Sequence, residues 1–385
     1  MSDNMIEETV KRLLANEVSR ELLTAVEAGE FAGALWQTIA DSGMTKILCR
    51  EAHGGIEASW LEALSLFYQL GYTQAPVPLS QAVVGQYLAS RSGLDLAADS
   101  VFALAAGAQA RALAVTSNEA GTPATIDGTM KAVKWARHAH WLVIEAAGQL
   151  CLVAAKGAGV RIEPKADAAS LPADTVVLDH APVAHVLPPG IAGLNRPLEV
   201  FYAATTAAQL TGALEYALDL AVQYAKDRVQ FGKPIGKYQA IQQQLAVLAG
   251  EVACSYAAAT TALRDLPAMQ QDSAPQAEFS AAVAKVTASD AVRTGASIAH
   301  QVHGAIGFTY EYALNFATRR LWAWRAEAGT STEWAERLGQ AFIEAGSDRF
   351  WPHLTARTLP SGDLPETPAG HHGRPMQAER TTTHV

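Results

Sequence analysis

Residues 228–239 read Arg-Val-Gln-Phe-Gly-Lys-Pro-Ile-Gly-Lys-Tyr-Gln, between two long alanine- and leucine-rich stretches with helical spacing. A cation, an aromatic ring, a glycine and a proline fall within residues 228–234. Gly232 and Pro234 end the incoming helix, because glycine costs about 1 kcal/mol and proline about 3 kcal/mol in a helix interior. The break frees helix-end polar groups and their neighbours for a ligand. The planar fork of Arg228 suits a pyrophosphate, and Phe231 offers a face to a flat ring such as adenine. The bland alternative is a helix–helix turn with a solvated arginine.

Outward from this segment the second half of the chain is helical. The pattern predicts helices over 197–228, 237–265, 276–302, 309–325 and 331–348, with a proline-containing loop over 266–275. Ile241, Leu245 and Leu248 share one face of the second. Long alanine-rich helices with short connections imply a closely packed bundle. Upstream, Ile6, Val10, Leu13, Leu14, Val18 and Leu22 predict an amphipathic helix over 5–29. Further helices are expected at 31–42, 58–71 and 80–92, with Pro76 and Pro78 forbidding continuation of the third. Between the helical halves the texture changes. Val101–Leu104, Arg111–Thr116, Trp141–Glu145, Leu150–Ala154 and Thr175–Leu178 are short β-rich runs separated by turn residues, and Asp127-Gly128 reads as a hairpin turn. The expected fold is mostly α with a β middle domain: a helical domain over 1–99, a small β-sandwich or barrel over 100–190, a helical bundle over 191–356, and a disordered Pro-, Gly- and Thr-rich tail over 357–385.

Composition sets outer limits. The chain has 385 residues, 49% of them hydrophobic, enough for a large core in two or three domains. A net charge of −9 leaves no electrostatic footprint for nucleic acid. Cys49, Cys151 and Cys254 lie far apart without metal spacing and read as buried structural thiols of a reducing cytosol. His371 and His372 read as solvated tail residues, so no metal is expected. The opening residues lack a basic segment followed by an apolar run, and no apolar run of membrane-spanning length occurs, so a cytoplasmic protein is expected.

Two blocks carry a resemblance. Arg228-x-Gln230-Phe231-Gly-Lys-Pro-Ile235 with Gln239-Ala-Ile-Gln242, and Gln301-Val-His-Gly304-Ala-Ile-Gly-Phe-Thr-Tyr-Glu311, resemble the two signatures of the acyl-CoA dehydrogenase family, in the same order. The likeness is strong over about 200–348 and looser before. It implies FAD bound at a subunit interface, an acyl-CoA substrate desaturated between its α and β carbons, and an electron-transfer flavoprotein or similar acceptor. The adenine and pyrophosphate contacts map onto Arg228, Gln230, Phe231, Ile235, Tyr238, Gln301 and Gly304. Ala305 stands where the family has a second glycine. Thr330 and Thr332 match phosphate and ribityl contacts, and Thr116 matches a flavin-edge contact within the loosely similar Val115–Gly121.

The catalytic half departs from the pattern. The family's Glu-Gly-Thr-Ser segment reads Ala328-Gly-Thr-Ser here, and a methyl group accepts no proton. The alternative base position, on the long helix before the arginine block, falls on Tyr202, whose phenol is a poor base at neutral pH. Glu327 and Glu199 are the nearest carboxylates. The resemblance to heteromeric members acting on steroid or bile-acid side chains implies an α2β2 assembly, in which this chain supplies the adenine-side contacts and its partner the base. Two other readings are a monooxygenase or desulfinase on the same fold, which needs no glutamate base, and a non-enzymatic helical assembly protein. Lys131, Lys134 and Arg137 form a basic cluster that either meets CoA phosphates or lies on a solvated strand face.

Overall fold

The computed structural model describes residues 3–118, 123–187 and 190–360. Helices α1 (Asp3–Glu17), α2 (Arg20–Glu27), α3 (Gly33–Asp41), α4 (Leu64–Tyr72) and α5 (Leu79–Arg91) come first. The single helix expected over 5–29 is two. The Ser19 hydroxyl accepts the Leu22 N–H at 3.2 Å and starts a new helix, since an N-cap serine competes with helix continuation.

Strands β1 (Phe102–Ala105), β2 (Ala114–Ser117), β3 (Pro123–Lys134), β4 (Trp141–Ala146), β5 (Gln149–Ala154), β6 (Val160–Glu163), β7 (Ala173–Pro182) and β8 (His185–Leu187) follow, with a short α6 (Ala108–Arg111) after β1. They form two four-stranded sheets, ordered β1-β4-β5-β8 and β2-β3-β7-β6. Asp127-Gly128 is not a hairpin turn. It lies within β3, where the pairing with β7 shifts register between Ile126 and Gly128. Gly128 has φ +136°, and a Cβ there would meet a Leu113 methyl at 2.7 Å, so glycine makes this bulge.

The remaining elements are α7 (Pro197–Asp227), the two-residue strands β9 (Val229–Gln230) and β10 (Lys233–Pro234), α8 (Gln239–Asp265), α9 (Ala277–His303), α10 (Ala313–Arg325), α11 (Ser331–Ala345) and α12 (Ser347–Ala356). Helix α7 is the axis of the molecule and is buried without interruption from Pro197 to Leu214. It meets α4 so closely that a Cβ on Gly212 would fall 1.9 Å from the Tyr68 carbonyl oxygen, and one on Gly71 1.8 Å from that of Gln209. Trp60 stacks on Phe201 of α7 with ring centroids 5.1 Å apart. Trp60 and Tyr87 both donate to the Pro267 carbonyl, at 3.0 and 2.7 Å, which fixes the loop before α9.

Helix α8 is long and apolar enough, by length and composition, to cross a membrane, unlike what the apolar runs in the sequence suggest; only 28% of its most apolar stretch is buried. Its inner residues, Leu248, Ser255, Ala259, Ala262 and Leu263, are buried. The expected last helix, 331–348, stops at Ala345, and α12 follows after Gly346 at φ +83°. The first residues of the expected disordered tail are packed: Arg357 pairs with Asp265 at 3.0 Å, and Thr358 shares a hydrogen bond with buried His353 at 3.0 Å. Residues 361–385, with His371 and His372, lie outside the described residues, as do Glu119–Gly121 of the flavin-edge segment.

Candidate functional site

The Arg228 segment is a tight β-hairpin. Gln230 pairs with Lys233 and Val229 with Pro234. Phe231 and Gly232 turn the chain with φ +50° and +82°, the signs of a type I′ turn. Arg228 ends α7, its N–H donating to the Tyr224 carbonyl at 2.9 Å, and its own carbonyl accepts the Ile235 N–H at 2.8 Å. The Tyr238 hydroxyl donates to the Gln230 carbonyl at 3.0 Å and braces the turn, while the Lys233 ammonium lies 4.4 Å from the Tyr238 ring centroid. The bracing leaves the reading side chains free. Phe231 is 93% exposed, and Arg228 and Gln230 are exposed with no side-chain partner among the described residues.

The second block lies beside the first. Tyr224 stacks on His303, centroids 4.6 Å apart, and a small cluster of Ala221, Ala225 and Val302 with Ile235, Ile241, Leu245 and Ile298 joins the hairpin to the end of α9. Ile235 therefore works from below, as packing under the hairpin. Gln301 is exposed at the end of α9. Gly304 stops that helix at φ +66°, ψ −148°, a conformation open essentially to glycine alone. Ala305 is exposed in the turn that follows, so its extra methyl meets open space. These side chains suit a dinucleotide: a guanidinium for pyrophosphate, an aromatic face for adenine, and amide groups for polar edges. All are uncommitted on one side of the molecule.

The positions expected for a base are also neighbours, deep inside. Helix α10 ends at Arg325, and residues 326–330 turn into α11. Ala328 stands at φ +54° and Gly329 at +86°. Thr330 caps α11 in a capping box with Glu333: its hydroxyl accepts the Glu333 N–H at 3.2 Å, and the Glu333 carboxylate accepts the Thr330 N–H at 2.7 Å. Thr332 is exposed on the first turn of α11. Thr116 is exposed on β2, the edge strand of its sheet, paired with Thr125.

Glu327 does not point outward, although it sits one residue before the base position. Its Oε2 accepts the Tyr202 hydroxyl at 2.8 Å, and its Oε1 lies 3.2 Å from the Lys134 ammonium. Burial raises the Glu327 carboxyl above its usual value against the pull of Lys134. The Tyr202 phenol is pushed well above 10, by burial first and by the Glu327 charge second. Burial opposes the charge of Lys134, but Glu327 and Asp167 more than offset it and its pKa rises. Glu199 lies elsewhere, on the first turn of α7, where its buried carboxylate meets Arg111, Arg337 at 3.0 Å and Arg196 at 3.5 Å.

The basic cluster expected on the strand face is dismantled. Lys134 is buried, and Arg137 is bound by fully buried Asp174 at 2.6 Å; of the three residues only Lys131 is exposed. A further buried cation escaped the sequence reading. Lys285, wholly buried on α9, donates to the Arg325 and Gly329 carbonyls at 2.9 and 2.7 Å and contacts Ser289 at 3.0 Å. It satisfies the end of α10 and pins the 326–330 turn. Burial brings its pKa down to about 7. The signal was present in the sequence: Ala281, Ala284, Lys285, Ala288 and Val292 form an inward stripe at helical spacing, with a lysine in it.

This fold and these two blocks define a flavin-dependent acyl-CoA dehydrogenase architecture. Residues 2–93 match the acyl-CoA dehydrogenase N-terminal domain and residues 201–341 the acyl-CoA dehydrogenase C-terminal domain. The chain belongs to the acyl-CoA dehydrogenase family, whose members are FAD-dependent oxidoreductases acting on CH–CH bonds. Among curated relatives, it is 29% identical to acyl-CoA dehydrogenase FadE34 of Mycobacterium tuberculosis over 315 residues, 81% of this chain but 42% of that one. It is 27% identical to acyl-CoA dehydrogenase IpdE2 of the same organism over 321 residues, 82% of this chain and 89% of IpdE2. The chain thus spans less than half of FadE34 and most of IpdE2. Among solved structures, a chain of the ChsE4-ChsE5 complex from Mycobacterium tuberculosis superposes with a TM-score of 0.80 at 22% identity, over 90% of this chain and 98% of that one, a likeness of fold.

Proposed function

We propose that this chain is one subunit of a heteromeric acyl-CoA dehydrogenase: it holds the adenine and pyrophosphate side of FAD, and a second, related subunit carries the base. One observation carries the reading. Neither position where the family places its base offers a carboxylate, because Ala328 has a methyl and Tyr202 a phenol that donates a hydrogen bond to Glu327. A thioester α-proton is weakly acidic, and a positioned base is worth about 10²- to 10⁴-fold in rate. The cofactor supplies a hydride acceptor. Arg228, Gln230, Phe231, Gln301 and Gly304 hold and orient its far end, and none of them touches the reacting carbons.

Other features support a partner. The outer face of α8 is apolar and largely uncovered. Its low charge suits a helix face on a second subunit of the same fold better than solvent. The match to FadE34 leaves room in that longer chain for a further segment of the same size. The name ChsE4-ChsE5 is that of a complex of two chains, and a second neighbour of similar fold is described as a steroid ACAD. We take the substrate as the CoA thioester of a bulky acyl group, the acceptor as an electron-transfer flavoprotein or similar carrier, the residue groups 1–99, 100–190 and 191–356 as three domains, and the location as the cytoplasm.

The test is flavin absorbance and native mass of the chain purified alone and again with its co-expressed partner. The expected result is a colourless chain alone and a yellow, defined hetero-oligomer with the partner. A yellow homotetramer with about one FAD per chain defeats the reading.

A further inference from the structure

The charged cluster behind the base position enters the function just proposed only through the Tyr202–Glu327 hydrogen bond, yet it extends further through the interior. It draws on four separated parts of the chain. Lys134 comes from the end of β3, Asp167 from the loop before β7, Glu327 from the α10–α11 turn and Tyr202 from α7. Gln81 of α5 adds its amide, 3.3 Å from the Tyr202 hydroxyl. Lys134 bridges Asp167 and Glu327, and Glu327 accepts from Tyr202. Exposure is 4% for Gln81, 8% for Lys134, 6% for Tyr202 and 8% for Glu327, so the contacts from Lys134 to Gln81 are shut off from solvent, with half-buried Asp167 at their outer end.

A general base must reach the proton it removes with a lone pair free to receive it. Each oxygen of Glu327 already has one donor, one of them an ammonium, so a proton taken up here would cost the pairing with Lys134. Admitting an acyl chain here would separate a buried ion pair, and leaving a buried charge without its partner is strongly destabilising. We propose that Lys134 and Glu327 form a strut between the β-sheets and the bundle that seals this chain's own acyl side, so that an acyl thioester enters only where the partner subunit supplies the pocket. This rests on the heteromer reading, but its tests need only the full chain. Their failure is therefore separate from that of the flavin and mass experiment.

The first test measures amine acetylation of the native chain, residue by residue, by mass spectrometry with an N-hydroxysuccinimide acetate probe. Lys131, three residues before Lys134 and exposed, is the internal standard. The strut predicts that Lys134 reacts at least about 100-fold more slowly than Lys131, since reaction awaits opening of a buried pair. Labelling within tenfold of Lys131 means an accessible pocket and overturns the seal. The second test compares thermal midpoints of wild type, Lys134→Met, Glu327→Leu and the double variant. Each single change is expected to lower the midpoint by roughly 5 °C or more, and the double variant to lose clearly less than the sum of the two, because each single change also strands the other member of the pair; Asp167 loses Lys134 in the single and the double variant alike and keeps its backbone donors from Ala169 and Leu171. Additive losses, or single variants that melt with wild type, overturn the strut.

Discussion

The hairpin end of the molecule and the α10–α11 turn are built from opposite materials. At the hairpin, strand pairing and the Tyr238 hydroxyl hold the backbone while Arg228, Gln230, Phe231 and Gln301 reach into solvent. At the turn, the buried charges are committed inward: Glu327 to Lys134 and Tyr202, and Lys285, reaching in from α9, to two carbonyls. A surface that keeps charged and aromatic side chains uncommitted forgoes their stabilisation and is ready to pay it out in binding. A surface that has spent them all is a finished piece of core. Two halves expected to serve one cofactor site therefore differ in kind. The first is a binding surface awaiting a ligand, and the second has become structure.

The comparison is broken most directly by Arg228→Ala. If the hairpin is a binding surface, this variant weakens FAD retention in the assembled complex by about 10- to 150-fold, the equivalent of hydrogen bonds to a charged group. The midpoint of the chain itself should stay within about 1 °C, as expected for a solvent-exposed side chain. Flavin titration and a thermal melt read the two quantities. Unchanged flavin affinity, or a large loss of stability with it, would place Arg228 among the structural residues and erase the contrast.

A smaller effect is expected from Lys285→Met on the committed side. The substitution leaves the Arg325 and Gly329 carbonyls without their donor, costing roughly 1–3 kcal/mol, or about 1–4 °C. The pH dependence is the sharper readout. Burial depresses the Lys285 pKa to about 7, against the opposing pull of Glu327 and with Arg325 pushing the same way. Such a lysine contributes stability that is full above its unfolded value, near 10.4, and is lost as pH falls through the folded value. Wild type should therefore lose more midpoint than the variant between pH 9 and pH 7. Parallel curves would show that Lys285 is not buried as a strained cation and that the turn is held in some other way.

How far the sequence alone leads can be judged from these same residues. The long helices were legible because alanine and leucine recur at helical spacing. The hairpin was legible only as a break: Gly232 and Pro234 announce an interruption, but a positive φ at Phe231 follows from no rule about phenylalanine. Residues 357–360 read as tail because an Arg-Thr-Leu-Pro stretch carries no periodicity, whereas the Arg357–Asp265 pair that holds them joins positions far apart in the chain. Glu327 read only as one of the nearest carboxylates, because spacing says where a side chain points only inside a regular element. Helix α10 ends at Arg325, so helical rotation does not govern where Glu327 points. Lys134 looked solvated beside Lys131 and Arg137 because strand alternation says nothing about a bulge, and β3 shifts register between Met130 and Val133.

The smallest expected effect is that of Ala328→Glu, and it bears on the whole contrast. The substitution restores the family's residue type at the base position. Were a missing carboxylate all that separates this chain from a self-sufficient enzyme, turnover should appear in the purified chain, with a gain of about 10²-fold or more. We expect none above the wild-type background in a flavin-reduction assay with added FAD and, in turn, octanoyl-CoA and the CoA thioester of a bulky polycyclic acid. The position lies at φ +54°, half-buried, with its carbonyl held by the Trp334 indole at 2.7 Å. The added carboxylate would also stand next to Glu327, whose charge the strut already spends on Lys134. A hundredfold gain would mean that the committed side is still a working half-site lacking one atom group, and the two regions would then differ by a single substitution rather than by kind.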